Sequence, residues 1–258
     1  MIKAVIFDMD GILIDTEKYL YRYWKQAAQE AGFDPTHEQL LRFRSFAKEY
    51  AEPYFKEQLG QEFDYTAVRA RRMELIRRHM AEHGVEKKPG VDEFLDWLTE
   101  NGYKKAVSTA SDAERTKDYL TQAGIYDRFD RIACAPSLPH GKPMPDVYLY
   151  ACEQIKERPE DCLALEDSDN GALSAHRAGC RVVMVKDLAG PLPETAAFLE
   201  GTAENLLEVI PILERMRTEA CGDRLALTPD LCRVRNDDLS RRGAGRRSCG
   251  RGQEDLHL

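Results

Sequence analysis

The apolar run Ala4, Val5, Ile6, Phe7 has strand length and β-branched content, the pattern of a strand buried on both faces of a parallel sheet. It breaks abruptly at Asp8 and Asp10, and Gly11 lets the chain turn away. From Asp15 the pattern becomes helical. Tyr19, Tyr21, Trp24, Ala27 and Ala28 recur at helix-like spacings, and Gly32 can end that helix. Further helical stretches are predicted over 36–58 and 64–83, with no strand between them. Lys87, Lys88, Pro89 and Gly90 read as a return linker.

From residue 91 helix and strand alternate. Val91 to Asn101 is amphipathic and stops at Gly102, and Lys104 to Val107 is a short strand ending in Ser108-Thr109-Ala110-Ser111. Ser111 or Asp112 can cap the next helix, which runs to about Ala123, with Glu114 in its first turn. Phe129 to Ala135 suggests a strand, and Pro145 suits the first turn of a helix reaching Lys156. Cys162 to Leu165 is a strand, Ala172 to Ala178 a helix and Arg181 to Val185 a strand. A last core helix is predicted from Ala203 to Arg217.

Repeated β-loop-α units imply an α/β fold, a Rossmann-like parallel sheet covered on both faces. The helices before residue 87 then form an inserted α-helical module. The expected organisation is a core of 1–15 and 87–217, an insert of 16–86, and a tail of 218–258. The tail holds eight Arg and no Lys, with Gly243, Gly245, Gly250 and Gly252, and reads as disordered or non-native. Seven tail acids nearly balance its arginines, which speaks against nucleic-acid binding.

Composition narrows the function. The 258 residues are 43% apolar and 32% charged, which fits a soluble globular protein. A net charge of −8 argues against general nucleic-acid or anionic-membrane binding. No run approaches the ~20 apolar residues of a membrane span. The chain opens directly on a core strand with no visible signal peptide, and its seven scattered cysteines form no Cys-x-x-Cys pair. A cytoplasmic setting with reduced thiols is the expectation.

The acids at the end of the first strand carry the chemistry. In open α/β sheets ligands sit beyond the carboxyl ends of the strands, and Asp8 and Asp10, two residues apart, aim to the same side. The run Asp8-Met9-Asp10-Gly11-Ile12-Leu13-Ile14-Asp15-Thr16-Glu17 resembles the opening motif of the haloacid dehalogenase-like phosphatases, in the branch that holds β-phosphoglucomutase and small sugar-phosphate phosphatases. Three later motifs match in order: Thr109 after the second strand, Lys142 in Gly-Lys-Pro-Met-Pro-Asp, and Glu166-Asp167 after the strand Leu163 to Leu165. The resemblance covers residues 1 to 217.

That resemblance implies a role for each part. Asp8 would be the nucleophile and Asp10 the general acid and base. Thr109, with Ser108 as its neighbouring alternative, and the backbone N–H of Ala110 would hold the phosphoryl group. Lys142 would offset the charge of Asp8. Asp8, the carbonyl of Asp10 and Asp167, with Glu166 direct or through water, would hold Mg²⁺.

The inserted helices resemble the family's mobile cap, with Thr16 and Glu17 near its hinge. Arg44, Lys48, Arg71 and Arg72 are its candidates for contact with substrate. The implied protein is a monomeric phosphatase of a small phosphorylated metabolite, such as a sugar phosphate, with no nucleic-acid or membrane partner. Two rivals are a sugar-phosphate mutase and a non-enzymatic phospho-receiver. Leu20 stands where β-phosphoglucomutase carries a histidine, which weakens the mutase. His79 and His83 share a helix face but lack a third ligand.

Overall fold

The computed structural model describes residues 1–226. Six strands form one parallel sheet in the order β3-β2-β1-β4-β5-β6. They are β1 (Ala4–Phe7), β2 (Lys104–Thr109), β3 (Arg131–Cys134), β4 (Cys162–Glu166), β5 (Arg181–Val185) and β6 (Gly201–Ala203). β1 lies centrally, pairing Phe7 with Val107 on one side and Leu165 on the other. Strand order reverses there, so β1 opens onto the crevice where such sheets bind ligands.

Both faces of the sheet are buried, as the unbroken apolar runs require. Val5 and Phe7 pack with Val107, Leu163 and Val183 under helices α5 (Val91–Glu100), α6 (Ala113–Gln122) and α10 (Val209–Ala226). Ala4 and Ile6 face the other way, against α7 (Asp146–Ile155) and α8 (Asp169–Arg177), where small residues such as Ala151, Ala172 and Ala175 let the helices approach closely. A short α9 (Pro193–Ala196) precedes β6.

Four helices stand between β1 and α5: α1 (Glu17–Glu30), α2 (His37–Arg42), α3 (Lys48–Leu59) and α4 (Tyr65–His83). They have their own apolar cluster, built on Trp24, Phe43, Phe55, Phe63 and Tyr65. The two connections to this insert run side by side, with Asp15 N–H donating to Glu86 O and Lys88 N–H to Leu13 O. His79 and His83 stack on each other, and His79 meets the Tyr23 hydroxyl.

Three expectations need correction. The stretch 36–58 is two helices broken at 43–47, where Ser45 adopts a positive φ of 61°. Asn170 explains the break: its side-chain amide donates to the carbonyls of Arg42 and Arg44, so a core contact outweighs helix propensity. Gly201–Ala203 is an edge strand rather than the approach to a helix, and the final helix starts at Val209. That helix also runs past the expected end at Arg217, to Ala226. The remainder of the predicted disordered tail, 227–258, lies outside the described residues. The chain divides into units Met1–Met216 and Arg217–Leu258. Among the described residues no helix is long and apolar enough to cross a membrane.

Candidate active site

The carboxyl end of β1 continues into a tight loop. Gly11 takes φ +81°, and a Cβ there would fall 2.6 Å from Asp167 Oδ2. Only glycine keeps the chain that close to the acids. The loop delivers Asp8 and Asp10 into a cavity of about 390 Å³ between the sheet end and the insert. Thr109 and Ala110, beyond β2, line the same cavity, and Thr109 Oγ1 accepts from the Ser111 N–H at 3.1 Å.

Lys142 is fully buried beneath these groups. Its Nζ donates to Asp8 Oδ1 at 2.7 Å, to Glu166 Oε1 at 2.6 Å and to the Ser108 carbonyl at 3.1 Å. Burial works against its charge, but Asp8 and Glu166 hold its pKa above the ordinary lysine value. Burial pushes the Asp8 carboxyl up to about 8; Lys142 opposes this and Glu166 adds to it. Burial also raises Asp167 well above its usual range, against the pull of Arg44.

Oxygens of Asp8, Glu166 and Asp167 lie within 4.8 Å of one another. Among the described residues, the buried Glu166 Oε2 and Asp167 Oδ1 have no hydrogen-bond partner, so two carboxylate oxygens are open to a ligand. An all-oxygen set of this kind suits a small hard cation, whose charge would also offset the crowding of the three acids. Gly171 sits at the start of α8 where any Cβ would collide with Glu166 Oε2, at 2.0 Å. Ser168 caps that helix, and Asp169 instead accepts from the Leu192 N–H.

Asp10 is clamped differently. Thr16 Oγ1 donates to its Oδ1, the Arg115 guanidinium donates to both oxygens at 2.6 and 3.1 Å, and Ser111 Oγ donates to Oδ2 at 3.3 Å. Burial would raise its pKa, but Arg115 and Thr16 hold it below the usual carboxylate range. Two side chains that touch the acids, Arg115 on Asp10 and Tyr148 on Glu166, have no signature in the sequence. Arg115 occupies the first turn of α6, three residues after its cap Asp112. Tyr148, on α7, donates its hydroxyl to Glu166 Oε1 at 2.5 Å. Spacing alone gives no signal for either, because both partners are distant in sequence.

The four insert residues separate. Arg44 donates to Asp167 Oδ2 at 2.9 Å and to the Asp167 carbonyl at 2.8 Å. Lys48 and Arg72 line the cavity. Arg71 does not: it pairs with Glu30 and Glu74 on the surface. Adjacent residues point about 100° apart on a helix, so Arg71 and Arg72 cannot share one face.

A family model described as haloacid dehalogenase-like hydrolase matches residues 5–185. A phosphorylated carbohydrates phosphatase of Thermotoga maritima is 27% identical over 83% of this chain and 98% of its own. A β-phosphoglucomutase of Bacillus subtilis is 29% identical over 81% and 93%. The crystal structure of CbbY from Rhodobacter sphaeroides in complex with phosphate superposes with a TM-score of 0.65 at 25% identity, covering 81% of this chain and 96% of that one. With its strand order, its acidic strand ends and these likenesses, this chain belongs to the haloacid dehalogenase-like hydrolases.

Proposed function

We propose that the protein is a Mg²⁺-dependent phosphatase that hydrolyses a small phosphorylated metabolite, a sugar phosphate in the first instance, through a phosphorylated Asp8. The sugar-phosphate reading is supported by likeness to the Thermotoga phosphatase. The site reading rests above all on Lys142, whose single ammonium group spans Asp8 and Glu166 in a buried pocket beside Asp167.

In the first step an Asp8 carboxylate oxygen attacks phosphorus while the ester oxygen departs and takes a proton from Asp10. In the second, Asp10 accepts a proton from water, whose oxygen attacks phosphorus and releases inorganic phosphate and the Asp8 carboxylate. Thr109 and Ala110 line the cavity, where the Thr109 hydroxyl and the Ala110 N–H would hold phosphoryl oxygens while Lys142, paired with Asp8, balances its charge. Mg²⁺ bound by Asp8, Glu166, Asp167 and the Asp10 carbonyl would neutralise the phosphoryl group and lower its repulsion of the nucleophile. Arg115 favours the ionised Asp10 required for the second step, so its grip must loosen when Asp10 serves as acid.

The helices α1–α4 would serve as a cap over this pocket, excluding water and choosing the leaving group. The test is phosphate release from a panel of phosphorylated metabolites with Mg²⁺. Asp8→Asn is expected to lower release at least 1000-fold, on the order expected for loss of a nucleophile. Unchanged release would reject Asp8. The mutase remains the second reading, favoured by likeness to the Bacillus enzyme. Leu20, a cavity-lining residue, speaks against it. With β-glucose 1-phosphate and a trace of glucose 1,6-bisphosphate, glucose 6-phosphate formed without equivalent inorganic phosphate would establish the mutase.

A further inference from the structure

The cysteines are scattered along the sequence, yet the fold gathers three of them. Cys152 lies in the last turn of α7, Cys162 opens β4 and Cys180 stands immediately before β5. Cys152 Sγ is 3.7 Å from Cys162 Sγ and 3.8 Å from Cys180 Sγ. All three are free, buried thiols. They sit at the amino ends of β4 and β5, away from the acidic cluster at the carboxyl ends, so the phosphatase chemistry makes no use of them. Their neighbours on this face include Ala151, Ala172 and Ala175, so packing here needs only a small side chain. Sulfur adds a reactive atom, and contact between sulfurs is what thiol–disulfide chemistry requires.

Two further features favour reaction over inertness. Hydrogen bonding with Cys162 and Cys180 draws the Cys152 thiol below its ordinary pKa, against the opposing effect of burial. The same contact, with burial adding to it, pushes both partners up. The thiolate is the nucleophilic form, so Cys152 is the attacking sulfur and either neighbour can resolve the product. The cluster also lies just beneath the surface. Cys180 is 5% exposed and is flanked by the exposed Gly179 and Arg181. Cys162 Sγ donates to the carbonyl of the exposed Arg158 at 3.3 Å, beside the short turn Pro159–Asp161 that leads into β4.

We propose that these three thiols form an oxidation site for a small hydroperoxide, in which Cys152 ends in a reversible disulfide with Cys162 or Cys180. The Cys152 sulfur attacks one peroxide oxygen and the O–O bond breaks. Cys152 becomes a sulfenic acid, and the departing oxygen leaves as water with the proton that the thiol gave up. The neighbouring sulfur then attacks the Cys152 sulfur, the S–O bond breaks, and hydroxide departs as water with the second thiol's proton. The two thiols lose two electrons and one peroxide is reduced. An S–S bond of about 2.05 Å requires the pair to close by about 1.7 Å. Local opening of the turns at Pro159–Asp161 and Gly179 admits the peroxide and permits that closure.

The test treats the folded full chain with hydrogen peroxide, alkylates the remaining free thiols in urea and digests with trypsin without reduction. Cleavage after Lys156, Arg177 and Arg181 puts the three cysteines in separate peptides, so mass spectrometry reads which two are joined. The expected product links Cys152 to Cys162 or Cys180, is lighter than the reduced pair by two hydrogens and is reopened by dithiothreitol. Cys134, buried against Thr116 rather than another thiol, is the internal control and should remain open to alkylation. Cys152→Ala should abolish the disulfide, whereas Cys162→Ala and Cys180→Ala should each leave the other pairing. Recovery of all three as free thiols would overturn the site, as would Cys152 driven to sulfinic acid without a partner. A link between Cys162 and Cys180 in Cys152→Ala would overturn the role of Cys152. Oxidation of Cys134 to the same extent would assign the reaction to unfolding and overturn the site as well. None of these outcomes depends on phosphate release, so the site stands or falls apart from the phosphatase reading.

Discussion

Glu166 shows how one side chain can be divided between two tasks. Its Oε1 accepts from both Lys142 and the Tyr148 hydroxyl, and among the described residues its buried Oε2 has no hydrogen-bond partner, while the carboxylate lies in one cluster with Asp8 and Asp167. Burial first, then Glu166 and Asp8, raise the Tyr148 hydroxyl well above its usual pKa, so it remains a donor across the working range. Tyr148 also lies 5.3 Å from the Lys142 ammonium, over its ring face. Tyr148→Phe keeps the ring and removes only the donor. Loss of such a supporting contact weakens metal sites by about 10–100-fold, and the apparent Mg²⁺ affinity should fall into that range. Titration followed by calorimetry would measure it, with the thermal midpoint recorded for the metal-free protein. An unaltered Mg²⁺ affinity would mean that Glu166 needs no fixed orientation. The sequence marked Glu166 and Lys142 because they stand in local motifs. It could not mark Tyr148, since an aromatic six residues after Lys142 reads equally well as core, and only the packing of α7 on the sheet brings its hydroxyl to Glu166.

At the scale of elements, β1 and β4 must be held in register, because one carries Asp8 and the other ends in Glu166. Part of that alignment is set at the far end of the sheet. Lys3 N–H donates to the Asp161 carbonyl, and the Asp161 side chain, only 5% exposed, accepts from Lys3 at 2.9 Å and Arg158 at 3.1 Å. The hydrogen bond from Lys3, against a smaller cost of burial, draws Asp161 down to about 2. A native pKa below the unfolded value of about 3.9 means stability that is present above pH 4 and is lost as pH falls toward 2. Lys3 and Arg158 are 49% and 70% exposed, so screening limits the contribution to about 1 kcal/mol. Asp161→Asn should therefore cost about 1 kcal/mol in urea unfolding at pH 7, and the difference should vanish near pH 2. A constant difference across that range would assign the loss to packing instead. β1, β2, β4 and β5 were legible in the sequence because their apolar runs are long enough to stand out. β6 was not: Gly201-Thr202-Ala203 has one buried residue and pairs only with β5 at the edge, so it carries almost no hydrophobic signature.

For the whole molecule, the question is how an insert built on its own aromatic cluster is joined to the catalytic end of the sheet. The contacts gather at the break between α2 and α3. Asn170 holds the carbonyls of Arg42 and Arg44, Ser168 Oγ donates to Ser45 Oγ at 2.9 Å, and the Ala47 N–H donates to the Lys142 carbonyl at 2.9 Å. Arg44 completes the join on Asp167, itself a candidate metal ligand. Two effects of Arg44 therefore oppose each other. Its positive charge repels a divalent ion at the neighbouring carboxylate oxygen, yet the same guanidinium ties the insert to the loop that bears the metal. Arg44→Met separates them. Removing the charge should tighten Mg²⁺ binding by a few-fold to about tenfold, as expected for one buried like charge in a partly screened site. Removing the tie should raise KM by about tenfold and speed amide exchange in α2 and α3, whose closed arrangement loses a buried ion pair. Tighter metal with poorer substrate capture is an outcome that simple damage to the site would not give. If Mg²⁺ affinity instead falls together with KM rising, Arg44 helps to build the metal loop, and the insert contributes to the resting shape of the site and not only to its closure.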